Sequence, residues 1–190
     1  MSDSKQLNQS KKQQALSLLQ SQRPAEARDI YCQVVQSDRR DWEAWHLLSA
    51  AHGMLGEFQE AEKCSRRVIE LQPTLLGAYI NLGNALMAQG KMEDALPSYR
   101  RALQIKPDEP QTHNNLGNLL KQQGKLAEAE ASYRQALRYA PNYPDACANL
   151  GMVLQETGRL GEALVQYQTA LKLQPEHADA LHNLGSGLAA

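Results

Sequence analysis

The residues best equipped for chemistry are five histidines, three cysteines and two glycine-rich runs, and their spacing denies each the reaction it resembles. Gly185-Ser-Gly187-Leu-Ala-Ala190 satisfies G-x-G-x-x-A, but a dinucleotide loop needs a strand before it, and this run lies in helical register. Gly117 to Lys125 resembles a phosphate loop, yet six residues separate its glycines and Leu126 stands where Ser or Thr must bind magnesium. The histidines form no H-E-x-x-H pair: His52 and His113 fall on packing positions, and His177 and His182 are five apart. Cys32, Cys64 and Cys147 are odd in number and lack C-x-x-C spacing, which suits buried thiols rather than a disulfide framework or a zinc site. No catalytic residue, metal ligand or cofactor is expected.

The charge balance narrows the partners. Twenty Lys and Arg stand against 21 Asp and Glu, a net charge of −1, so no cationic excess is present to neutralise a phosphate backbone. Nucleic acid is therefore not expected. The pairs Arg39-Arg40, Arg66-Arg67 and Arg100-Arg101 have acids interspersed around them and read as solvated surface. The N-terminal run is polar and no apolar stretch is long enough to span a bilayer, which points to a cytoplasmic protein with no membrane partner. Abundant Ala, Leu, Gln and Glu beside a single Phe favour helices over strands, so the expected fold class is all-α.

What positions these residues is a repeat. Windows 76–109, 110–143 and 144–177 align without a gap, and ten of their 34 positions are identical. Position 6 is Asn (Asn81, Asn115, Asn149), position 7 is Leu and position 8 is Gly (Gly83, Gly117, Gly151). Position 15 is again Gly (Gly90, Gly124, Gly158), position 24 is Tyr (Tyr99, Tyr133, Tyr167) and position 32 is Pro (Pro107, Pro141, Pro175). Window 42–75 is a looser copy, with Ser49 at the glycine site and Ser65 at the tyrosine site. Window 8–41 keeps Ala15, Leu18, Ala27 and Tyr31 but lacks the turn glycine and the closing proline. Residues 1–7 read as a polar tail, and 178–190 restart the pattern as one first helix of a sixth unit.

Positions 4, 7, 8 and 11 follow the i, i+3, i+4, i+7 rule, as do 20, 24, 27 and 28, so each unit is a helical hairpin. Glycine at position 15 suits the left-handed residue that ends the first helix, and proline at 32 stops the second. Pro97, at position 22, is expected to bend its helix. Glycine at position 8 costs roughly 1 kcal/mol inside a helix. Its compensation is close backbone approach, with the position 24 ring filling the gap toward the next unit.

At about 100° per residue, positions 2, 6, 9 and 13 form a stripe opposite the packing face. It contains Asn81 and Asn84, then Gln111, Asn115, Asn118 and Gln122, then Asp145, Asn149, Met152 and Glu156, and finally Asp179 and Asn183. The stripe is rich in amides and becomes acidic toward the C-terminus. Amides carry both donor and acceptor, which matches the backbone of an extended peptide.

The 34-residue spacing, with Leu, Gly, Leu, Ala, Tyr, Ala and Pro at these offsets, resembles the tetratricopeptide repeat (TPR) family over residues 8–190. That resemblance implies an α-solenoid, a right-handed superhelix whose first helices line a concave groove that binds an extended peptide or partner protein. The run Asn-Leu-Gly-Asn is similar to the repeat arm of O-linked N-acetylglucosamine transferases, which implies a second reading as the substrate-binding segment of a larger glycosyltransferase. Family members that clamp a C-terminal carboxylate carry Lys or Arg at positions 2, 5 and 6. Here Gly77, Gln111 and Asp145 hold position 2, and Ile80, Asn114 and Ala148 hold position 5, so a clamp is disfavoured. A third reading is a homo-oligomer formed through Leu181, Leu184 and Leu188 of the last helix. Replacing Gly117 with Leu should overpack the helix contact and cost about 1 to 3 kcal/mol; thermal unfolding that does not change would count against a glycine-dependent contact.

Overall fold

The computed structural model describes residues 2–188, with side chains from 5 to 186. Every regular element among the described residues is a helix. The chain divides into two compact units, one ending at Ile105 and the other beginning at Lys106. The first holds α1 (Ser2–Gln20), α2 (Pro24–Ser37), α3 (Trp42–Met54), α4 (Phe58–Leu71), α5 (Leu76–Ala88) and α6 (Met92–Ile105). The second holds α7 (Pro110–Gln122), α8 (Leu126–Tyr139), α9 (Pro144–Glu156), α10 (Leu160–Leu173) and α11 (Ala178–Leu188). Within each unit consecutive helices pack on one another as stacked hairpins.

The turn between the helices of a hairpin has one chemistry throughout. Gly56, Gly90, Gly124 and Gly158 all take a φ of +73° to +78°. The residue after each glycine donates its N–H five residues back, as in Glu57 to His52, Lys91 to Leu86, Lys125 to Leu120 and Arg159 to Leu154, at 2.8–2.9 Å. These bonds satisfy carbonyls that the ending helix would leave bare. The first hairpin forms the same turn without glycine: Gln22 adopts a φ of +56° and Arg23 donates to the Leu18 carbonyl at 2.9 Å. At the far end, Asp38, Gln72, Ala140 and Gln174 close the second helices with N–H bonds of 2.7–2.8 Å to the carbonyls four residues before them.

The position 24 tyrosines are core, with Tyr31, Tyr99, Tyr133 and Tyr167 at most 2% exposed. Their seat differs from the expected one. A Cβ built on Gly83, Gly117 or Gly151 would lie 2.5 Å from Cε1 of Tyr99, Tyr133 or Tyr167, so each ring rests on the glycine of its own hairpin. In the first hairpin Ala15 holds the glycine site beneath Tyr31, and the hydroxyl turns instead to the Lys12 carbonyl at 3.5 Å. In the second, Ser49 and Ser65 replace the pair, and their hydroxyls meet at 2.7 Å with full burial.

Residues 2–7, read as a tail, continue α1, because nothing in that polar stretch breaks a helix. Pro97 lies inside α6, beyond its first turn, and α6 continues on both sides of it with a single backbone donor lost. Position 4 serves the hairpin edge as well as its packing face: Trp45 donates to the Arg39 carbonyl, Tyr79 to Pro73 and His113 to Pro107 at 2.8–3.2 Å, each tying a helix start to the turn before it.

Gln22 bears a side chain where four hairpins use glycine. Gln22→Gly should therefore stabilise the protein by about 1 kcal/mol through removal of left-handed strain, read as a higher urea midpoint with an unchanged slope.

Candidate functional site

In the second unit the stripe becomes a cleft of about 390 Å³. Gln111, Asn115 and Asn118 reach it from α7, Asp145 and Asn149 from α9, and Asp179 from α11. The helical spacing thus brings together six of the stripe residues named from sequence. Met152, Glu156 and Asn183 border a separate depression of about 360 Å³ together with Gln155 and Tyr167. Gln122 is exposed on α7 and lines neither. Asn81 and Asn84 belong to the first unit, where they border an apolar cavity with Ser49, Ala61 and Ala85.

The amides of the cleft are held from beneath. Asn118 Oδ1 accepts a 2.7 Å bond from the buried Tyr133 hydroxyl, and Asn84 Oδ1 in the first unit accepts one of 2.8 Å from Tyr99. Each bond orients its amide, since only the oxygen end accepts from a hydroxyl donor. In the last hairpin Met152 occupies position 9, and Tyr167 turns to Gln155 Oε1 at 2.9 Å. Burial pushes the Tyr167 hydroxyl up to about 12, with the Glu156 carboxylate adding to it, so the phenol stays a donor at neutral pH.

Three residues of the cleft lay outside the stripe read from sequence: Asn114, Tyr143 and His177. Asn114 is 5% exposed, and its Oδ1 accepts from Asn149 Nδ2 at 2.9 Å across α7 and α9. Asn149, read as a groove residue, therefore spends one amide hydrogen on holding neighbouring hairpins together. Asn114 also shares a hydrogen bond with the Tyr143 hydroxyl, which burial and Asp145 push above its ordinary range. His177 is 8% exposed; its Nδ1 accepts from the Ala180 N–H at 3.3 Å, so Nε2 carries the proton donated to Asp145 Oδ1 at 3.0 Å. Asn114 had a signal, being at position 5 beside the stripe. Tyr143 and His177 had none, because position 34 is Asp, Leu, Glu, Tyr and His in successive windows.

Other chemistry-bearing groups serve packing or surface. Cys64 and Cys147 are buried and Cys32 is half-buried; burial raises all three thiols, that of Cys64 to about 12. Such thiols are poor nucleophiles. Arg66 and Arg67 pair with Glu62 and Glu70 on α4. Among the described residues no cluster of three or more His, Cys, Asp or Glu is placed to hold a metal ion, and no helix is long and apolar enough to cross a membrane.

Stacked helical hairpins with a polar stripe along their first helices define a helical-repeat class suited to binding proteins. TPR repeat models match residues 83–124, 117–158 and 155–186, and a tetratricopeptide repeat model matches 12–75; the chain belongs to the tetratricopeptide repeat family. Its fold is that of TTC0263, a thermophilic TPR protein of Thermus thermophilus, at 26% identity and a TM-score of 0.80 over 96% of this chain and 100% of that one. PilF of Pseudomonas aeruginosa is similar at 20% identity and a TM-score of 0.82, covering 94% of this chain and 82% of that one. YrrB, described as a TPR protein with an unusual peptide-binding site, matches at 21% identity and a TM-score of 0.70 over 91% and 89% of the two chains. No curated protein matches the chain. The tetratricopeptide fold is generally a non-catalytic scaffold, and a protein-binding role is the one it fits.

Asn114→Ala would leave the Asn149 amide and the Tyr143 hydroxyl without their shared partner. It should cost about 1 to 3 kcal/mol, measured by urea unfolding, whereas the exposed Gln111→Ala should stay within about 0.5 kcal/mol of wild type.

Proposed function

We propose that the protein is an interaction scaffold that holds an extended peptide segment of a partner along its first helices, with the repeats divided at 8–41, 42–75, 76–109, 110–143 and 144–177 and a first helix alone from 178. The observation carrying this reading is the second-unit cleft, where the accessible amides of Gln111, Asn115, Asn118 and Asn149 meet two carboxylates and no Lys or Arg lines the wall. Amide side chains pair with backbone N–H and C=O groups whatever the peptide's own side chains are. At about 1 kcal/mol per amide, four such contacts give only roughly millimolar binding, so specificity comes from elsewhere. Asp145 and Asp179 supply part of it, by attracting a Lys or Arg of the peptide. Asp145 is 60% exposed, which makes this attraction sensitive to salt.

The Asn-Leu-Gly-Asn runs at 81–84 and 115–118 support a related reading, the same groove serving as the substrate-holding arm of a larger transferase. The binding chemistry is common to both. Self-association through α11 has less support: Leu181 is 51% exposed, but Leu184 is half-covered and the Leu188 side chain lies outside the described residues. A cytoplasmic setting is part of the proposal, supported by three unpaired cysteines.

Peptides selected from a random library on the wild-type protein should be enriched in Lys or Arg and bind more weakly as salt rises. Replacing Asn81, Asn115 and Asn149 together by Ala should lower their affinity by about tenfold or more while circular dichroism shows unchanged helicity. Equal affinity before and after would assign these asparagines to structure alone.

A further inference from the structure

A buried hydroxyl must find an acceptor, and the tyrosines at position 24 find theirs in three ways. Tyr31 turns to the Lys12 main-chain carbonyl and Tyr167 to Gln155 Oε1. Tyr99 and Tyr133 turn to the asparagine at position 9, Asn84 and Asn118, at 2.8 and 2.7 Å. All four rings are at most 2% exposed, although position 9 is Leu16 in the hairpin of Tyr31 and Met152 in that of Tyr167. Burial of the ring therefore does not require an asparagine there. What Asn118 adds is a polar end at the cleft.

The hydroxyl decides which end that is. Burial raises the Tyr133 phenol above its ordinary range, with the Glu156 carboxylate adding to it, so it remains a donor at neutral pH. A donor takes the oxygen of an amide. Oδ1 of Asn118 is thus held by the tyrosine, and Nδ2 with its two hydrogens is the end left for a ligand at the cleft wall. On α9 Asn149 is turned the other way. It gives one Nδ2 hydrogen to Oδ1 of the buried Asn114 at 2.9 Å, which leaves the Asn149 oxygen as an acceptor. The cleft therefore offers an amide donor from α7 and an amide acceptor from α9. A peptide bond carries both complements, a carbonyl oxygen and an N–H. A carboxylate has acceptors alone, and Asp145 and Asp179 in the same wall repel it. An ammonium has donors alone.

We infer that Asn118 donates to a carbonyl oxygen of the bound segment while Asn149 accepts from one of its N–H groups, so that the cleft recognises a peptide bond within the segment rather than a charged chain end. Tyr133 and Asn114 are positioning residues, each acting through the amide that it holds. This rests on the peptide reading of the groove and gives its amides separate tasks.

The probe is an acetylated and amidated pentapeptide of alternating alanine and lysine, titrated into isotope-labelled protein while side-chain amide resonances are followed by NMR. In wild type an Asn118 amide hydrogen should move downfield as it enters a hydrogen bond. The same pentapeptide with methylated backbone nitrogens has no N–H for Asn149 and should bind about fivefold more weakly, the loss of one such bond. Asn118→Ala should weaken binding of the unmethylated probe by a similar factor. Tyr133→Phe frees the Asn118 amide to present either end, so that about half the population is competent and affinity falls about twofold. In an Asn118→Ala background Tyr133→Phe should lower it no further, which a purely structural role for the hydroxyl does not predict. Circular dichroism checks that each variant is folded; if Tyr133→Phe unfolds, the Asn118 resonance and the methylated probe decide, since both use wild-type protein. An Asn118 resonance that stays still while that of Gln111 moves, equal binding of the methylated probe, unchanged affinity in folded Asn118→Ala, or equal effects of Tyr133→Phe in both backgrounds overturns the inference and leaves the groove reading in place. A titration that moves no amide of the cleft overturns both.

Discussion

A tyrosine ring seated where a glycine has no side chain governs the hairpins at 76–109, 110–143 and 144–177. Glycine inside a helix costs roughly 1 kcal/mol, while a buried tyrosine removes about 150 to 250 Å² from water, several kcal/mol at about 25 cal/mol per Å². The exchange is favourable only if the helices approach closely enough for the ring to lie on the glycine, and the 2.5 Å clash of an added Cβ shows that they do. The buried phenol must also find an acceptor. Tyr99 and Tyr133 find it in Asn84 and Asn118, and Tyr167 in Gln155. The packing of each hairpin thereby orients a polar side chain on its first helix.

The same constraint explains the irregular hairpins. With Ala15 at the small site, the Tyr31 hydroxyl turns to a main-chain carbonyl, and no polar first-helix side chain is oriented by it. With serines at both sites, a short buried hydroxyl pair replaces ring burial. Sequence divergence in this hairpin is a change of packing chemistry.

The second unit shows how structural and recognition duties share one set of amides. Asn114 is buried and joins α7 to α9 through Asn149, while Gln111 and Asp145 nearby remain exposed. His177 caps α11 with one ring nitrogen and steadies Asp145 with the other. The wall offered to a ligand is therefore positioned by the contacts that stack the hairpins.

Helix spans, turn glycines and the burial of the tyrosines were legible in the linear pattern, because a period of about 100° per residue is a local property that each hairpin repeats. So was the membership of Gln111, Asn115, Asn118, Asp145 and Asn149 in one face. Only the folded chain decided that Asn149 is tied to Asn114 and that Tyr143 and His177 enter the cleft from the non-repeating position before each first helix. Those outcomes depend on distances between successive hairpins. Angular periodicity within a helix carries no information about such distances.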